Sequence, residues 1–196
     1  MPVDRHGLPV TTTSPDALDA YNQGVRGLLS WDRHTLERFT TAAERDPGLA
    51  LAHAGAAVCL FLDERFKEGR AAAETARSAA GAQTARERGH VEALALFVTG
   101  QAPQAERAMR EHLASYPRDL VILQRLYFIL FWQGRFPEML ELTRDLLRHY
   151  VLLEACFRAG EMDRAERLLG ERLARRPDHF WQTRRAGRPD ATEDRR

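Results

Sequence analysis

Glu87 and His90 are the residues of this 196-residue chain whose types and spacing come nearest to a reactive pair. On a helix, Glu-x-x-His sets a carboxylate and an imidazole on one face, and di-iron bundles use two such pairs with further glutamates. Here there is one pair, and His53 is the third candidate ligand. Thr84 stands three residues before Glu87, so the same carboxylate also fits a capping box that opens a helix. That structural use leaves the metal set incomplete, and the expectation is no metal and no cofactor.

Other chemistry is thinner still. Asp145 and His149 at i,i+4 read as a surface ion pair. Ser14, Ser30, Ser78 and Ser115 lie in caps or helix ends, with no Gly-x-Ser-x-Gly elbow around any of them. The chain has no phosphate-cradling glycine loop, no His-Glu-x-x-His and no Cys-x-x-Cys. His6, His34, His112 and His179 are scattered singly. The expected class is therefore non-enzymatic, with no catalytic residue assigned.

The elements that must position these groups repeat. Gly100, Ala105, Met109 and Pro117 lie at offsets 0, 5, 9 and 17; Gly134, Met139, Thr143 and Val151 repeat them 34 residues later. Gly160, Ala165, Leu169 and Pro177 repeat them again, and Phe39, Ala42 and Pro47 carry matching marks earlier. Glycine ends the first helix of a pair, where a Cβ would obstruct the turn. A small residue five positions on lets the second helix approach closely, and proline closes the pair. A 34-residue period of two helices is the signature of a tetratricopeptide repeat.

This predicts an all-α, TPR-like solenoid of four to five helix pairs. Residues 1–13 form an extended arm, and the repeats cover 14–47, 48–83, 84–117, 118–151 and a truncated 152–177. Ser14-Pro15 opens the first helix and Asp32 caps the second. Pro117 to Pro177 is 60 residues where two repeats need 68, and no Gly or Pro interrupts Leu140–Ala159. One continuous helix from Pro137 to Ala159, roughly 33 Å at ~1.5 Å per residue, is favoured over an uncapped corner. The Arg-rich tail 178–196 lacks the apolar content to pack and is expected to be disordered.

In this register the first helices line a concave face. Val58 and Phe61, Leu94 and Phe97, then Phe128 and Phe131 take equivalent inward positions, with Trp132 beside them and His53, His90 and Gln124 one turn earlier. Arg86, Arg88 and Arg125 could give the rim an anion preference. Such a groove takes a peptide segment, a second copy of the chain or a small molecule. The expected function is a scaffold or adaptor holding a protein partner there. The alternative is a small-ligand or metal-dependent hydrolytic site on His53, Glu87 and His90.

A formal charge of +1 suggests neither nucleic acid nor a membrane surface as partner. The longest apolar stretch, Leu120–Trp132, is broken by Gln124 and Arg125 and is too short to span a bilayer. Cys59 and Cys156 sit in helical apolar runs and form no disulfide framework; with no basic–apolar leader, a cytoplasmic setting is expected.

Gly7-Leu-Pro-Val-Thr-Thr-Thr-Ser14, Asp46-Pro47 with Ala52-His53-Ala54, and Thr84-Ala-Arg-Glu-Arg-Gly-His90-Val-Glu-Ala-Leu94 carry a narrower likeness. Over residues 7 to about 150 the chain resembles bacterial relatives of the tetratricopeptide repeat protein 38 family. Leu153–Gly160 and Leu173–Pro177 resemble that family's C-terminal end. Family members are longer, so the resemblance implies a middle section missing near Tyr150-Val151. It implies a helical repeat fold and a scaffold role, and no reaction.

Overall fold

The computed structural model describes residues 1–142, and every regular element among them is a helix. The chain divides into two units, Met1–Leu140 and Glu141–Arg196. The 137–159 helix, the truncated repeat 152–177, Cys156, the Asp145–His149 pair and the tail lie wholly or mostly outside the described residues.

The helices are α1 (Pro15–Ser30), α2 (Thr35–Arg45), α3 (Ala50–Leu62), α4 (Phe66–Ala80), α5 (Ala85–Val98), α6 (Ala102–Ser115) and α7 (Leu120–Trp132). Further helical turns open at Phe136. Side-chain caps mark the starts of α1, α5 and α7. Ser14 Oγ accepts from the Ala17 N–H at 3.1 Å, and Pro15 takes the first turn, where its missing N–H costs nothing. Thr84 and Glu87 form the expected capping box at α5. At α2 the expectation fails. Asp32 closes a turn on the His34 N–H at 2.9 Å and pairs with Arg38 at 2.9 Å, so the helix begins at Thr35 without a side-chain cap.

The pairs turn at equivalent corners. Gly100 and Gly134 have φ of 80° and 67°, and Glu64 occupies the same left-handed position at 61° without being glycine. Each corner makes the same two backbone bonds. Glu64, Gly100 and Gly134 donate to the carbonyls of Phe61, Phe97 and Phe131. Arg65, Gln101 and Arg135 donate to those of Leu60, Leu96 and Leu130. These bonds satisfy carbonyls that the helix end leaves open. Five residues beyond the corners, Gly69, Ala105 and Met139 are all buried; nine beyond, so are Ala73 and Met109. A Cβ on Gly69 would stand 3.2 Å from the Ala57 carbonyl oxygen, which is why a small residue belongs there.

Packing runs between neighbouring helices and also between first helices, α3 lying directly against α5. Phe39 of α2 is the wedge of the N-terminal part. A Cβ built on either Gly24 or Gly55 would fall within 2.7 Å of its ring, so both glycines exist to admit it. α1 also meets α7. Trp31 packs edge-on to Phe128 at 5.4 Å, and Gln124 Nε2 reaches the carbonyls of Leu28 and Leu29 at 3.5 and 3.4 Å.

The N-terminal arm is folded rather than extended. Asp4 Oδ1 accepts from the N–H groups of His6 and Leu8, Gly7 turns the chain at φ 72°, and Val3 bridges Pro9. Leu8 and Val10 are buried beneath it, and that apolar burial gives the loop its reason to stay down.

Candidate functional site

Two places stand out, a buried polar hub and an exposed aromatic ridge.

The hub is centred on Asp119, the residue before α7. Its Oδ1 faces the Ile122 N–H at 3.4 Å and caps the helix. Its Oδ2 accepts from His90 Nδ1 of α5 at 2.8 Å, His112 Nε2 of α6 at 2.9 Å and Arg86 Nη2 of α5 at 3.1 Å. Facing an ionised carboxylate, each of those ring nitrogens carries the proton. Burial alone would raise the Asp119 pKa; His90, His112 and Arg86 outweigh it and hold the carboxyl well below its ordinary range. Burial lowers the His112 pKa against the opposing pull of Asp119.

Arg86 carries the hub into the arm. Its Nη1 donates to the Pro9 carbonyl at 2.9 Å, and Nη2 lies 3.7 Å from Asp4 Oδ2. Alongside, the Glu87 carboxylate accepts from the N–H and Oγ1 of Thr11 and from the N–H and Oγ1 of Thr84, at 2.6–3.1 Å. Burial pushes its pKa up, and these four bonds bring it below the ordinary value. Thr12 Oγ1 adds a bond to Asp46 Oδ2 at 2.6 Å. The side chains of α5 thus fasten the arm to the helices.

His53, Glu87 and His90 do not converge as a site. His53 Nε2 pairs with the Pro47 carbonyl at 3.0 Å, and Glu87 is spent on Thr11 and Thr84. Among the described residues, the group whose ligand atoms come together is His90, His112 and Asp119, all within 4.8 Å of one another. His112 and Asp119 escaped the sequence reading because they lie on different elements. One sign of them was present: His90 and His112 stand ten residues before and twelve after the Gly100 corner, and an antiparallel hairpin brings such positions side by side.

The concave face expected from the register is largely filled. Val58 and Leu94 are core residues where α3 meets α5, while Glu87 is buried against Thr11 of the arm and His90 against Asp119. Phe61 and Phe97 are half-buried against each other at 4.9 Å, and Gln124 and Phe128 lie half-buried against the end of α1. Arg86 serves the hub, while Arg88 Nη1 bonds the Gln83 carbonyl. Arg125 is 1% exposed, its guanidinium over the rings of Trp31 (5.6 Å) and Phe128 (5.2 Å), with one hydrogen bond, to Gln124 Oε1 at 2.7 Å. Burial pushes its pKa down to about 10.

Of the aromatic residues expected on that face, Phe131 and Trp132 remain open and belong to the ridge. Phe131, Trp132 and Phe136 form an edge-to-face cluster, with Phe131 at 5.3 Å from Trp132 and 6.2 Å from Phe136. They are 42%, 82% and 58% exposed. Phe136, at the start of the turns after α7, is the member that sequence spacing did not single out. Elsewhere a hollow of about 460 Å³ lies beside the arm, lined in part by Thr11, Thr13, Asp46, Ala79 and Gln83. No helix among the described residues is long and apolar enough to cross a membrane.

The described residues make an all-helical unit. No protein-family model, curated protein or solved structure matches it.

Proposed function

We propose that this chain is a non-enzymatic, TPR-like scaffold, akin to bacterial relatives of the tetratricopeptide repeat protein 38 family, and that it takes a protein segment on its aromatic ridge. The recurring corners at Glu64, Gly100 and Gly134 support the repeat reading. The exposure of Phe131, Trp132 and Phe136 together supports the binding reading. Clustered exposed rings mark association surfaces more often than bare monomer surface. Trp and Tyr anchors carry a disproportionate share of binding energy. A cytoplasmic setting goes with this reading, as does the expected lack of nucleic-acid or membrane partners.

The test is selection from a displayed random-peptide library on the immobilised full chain, then titration of an enriched peptide. Trp132→Ala with Phe136→Ala should weaken that peptide about thirtyfold, the equivalent of ~2 kcal/mol for a buried aromatic anchor. Both rings are largely exposed, so circular dichroism should not change. Enrichment no better than on bare support, or equal affinity in the double variant, would overturn the reading. A concentration-dependent dimer in sedimentation, lost in the same variant, would make the occupant a second copy of the chain.

A further inference from the structure

We propose that His90, His112 and Asp119 form a structural binding site for a single divalent transition-metal ion, zinc by donor type, which ties α5, α6 and the start of α7 together. The three ligand atoms come from three elements and lie within 4.8 Å of one another. All three side chains are buried, and one water would complete the tetrahedron around an ion held there. Around zinc at about 2.0–2.1 Å per bond, tetrahedral ligand atoms sit roughly 3.3 Å apart. The carboxylate-to-ring separations of 2.8 and 2.9 Å would open by about half an ångström to admit it. Two imidazoles and one carboxylate suit zinc, cobalt or nickel, whereas calcium and magnesium prefer all-oxygen sets.

Charge balance points the same way. Asp4 and Asp119 are two buried carboxylates that share one buried guanidinium, that of Arg86. Arg118 contributes only at the edge, half-buried with its Nη2 on the Gly7 carbonyl at 3.3 Å. A buried site with excess negative charge favours a cation. Arg86 keeps its place as a hydrogen-bond donor to the ligating carboxylate, and the Asp119 bond to Ile122 holds that carboxylate in position. Gly89 makes room for the arrangement, since a Cβ there would lie 3.1 Å from His112 Nδ1. When the ion enters, His90 Nδ1 and His112 Nε2 give up their protons and bind through lone pairs. A neutral ring then carries its proton on the other nitrogen, and an imidazolium releases one proton to solvent.

The test uses the full chain, stripped with a chelator and titrated with zinc and, separately, with cobalt. The expected result is one tightly bound ion per chain, a raised melting temperature, and ring ¹⁵N shifts in wild-type protein that assign His90 Nδ1 and His112 Nε2 as ligands. His112→Gln and His90→Asn each leave an amide N–H for Asp119 but a poor metal ligand. Folded by circular dichroism, both should bind at least tenfold more weakly. The proposal is overturned by no stoichiometric binding in wild type, by unchanged affinity in both variants, or by ring shifts that place the ion on other histidines. If the variants do not fold, the wild-type ring shifts decide alone.

Discussion

In the ion-free chain, replacing Asp119 with alanine removes the acceptor from three buried donors at once, the His90 and His112 rings and the Arg86 guanidinium. Losing one partner of a buried charge pair costs about 3–5 kcal/mol, because the other is left uncompensated. Loss of the α7 N-cap adds about 1 kcal/mol, and less here because the bond to Ile122 is long, at 3.4 Å. The sum, roughly 3–6 kcal/mol, is a large share of the 5–15 kcal/mol by which a typical domain is stable. Urea unfolding followed by far-ultraviolet circular dichroism should show the loss directly, and the melting temperature should fall by roughly 10–20 °C. The damage should also spread to the arm. Arg86 holds the Pro9 carbonyl, so the amides of Val10, bonded to Pro2, and of Thr11, bonded to Glu87, should exchange faster with deuterium. Asp119→Asn keeps a carbonyl acceptor and should lose about half as much. A loss below about 1 kcal/mol in Asp119→Ala, or unchanged exchange at Val10 and Thr11, would refute the hub as the fastening point of the arm.

Two further substitutions probe the frame. Glu64 sits at φ 61° where its counterparts are glycine, so Glu64→Gly should stabilise the chain by about 0.5–1 kcal/mol, read as a higher urea midpoint with an unchanged slope. Arg125 is buried beneath Trp31 with no carboxylate partner among the described residues, so Arg125→Met should be neutral or stabilising by about 1–2 kcal/mol in the same assay. A loss of more than about 2 kcal/mol there would mean that stacking on Trp31 and Phe128 outweighs the cost of burying the charge.

What the sequence made legible was local. The Thr84–Glu87 box and the Gly100 and Gly134 corners depend on a few adjacent residues, and each stands where its spacing placed it. Glu64 takes the same corner without glycine, because the flanking helices over-determine the turn, and so no spacing could announce it. Asp32 looked like a cap, but its carboxylate has nearer donors in the His34 N–H and Arg38. The concave wall was drawn with every first helix open to one side. α3 meeting α5 puts Val58 and Leu94 into the core, and α1 meeting α7 half-buries Gln124 and Phe128, long-range effects with no periodic trace. The hub was hidden for the same reason, since His90, His112 and Asp119 meet only after three elements fold together. Phe131 and Trp132 were picked out, being consecutive aromatics at a helix end that packing does not fully cover.

Carbene footprinting of the full chain, with and without a peptide chosen by library selection, measures most directly whether the ridge takes a protein segment. The peptide should protect Phe131, Trp132 and Phe136 and leave labelling of Trp31, on α1's end, unchanged. Protection at Trp31 or along the arm, with the three ridge rings labelled as in the free protein, would contradict it.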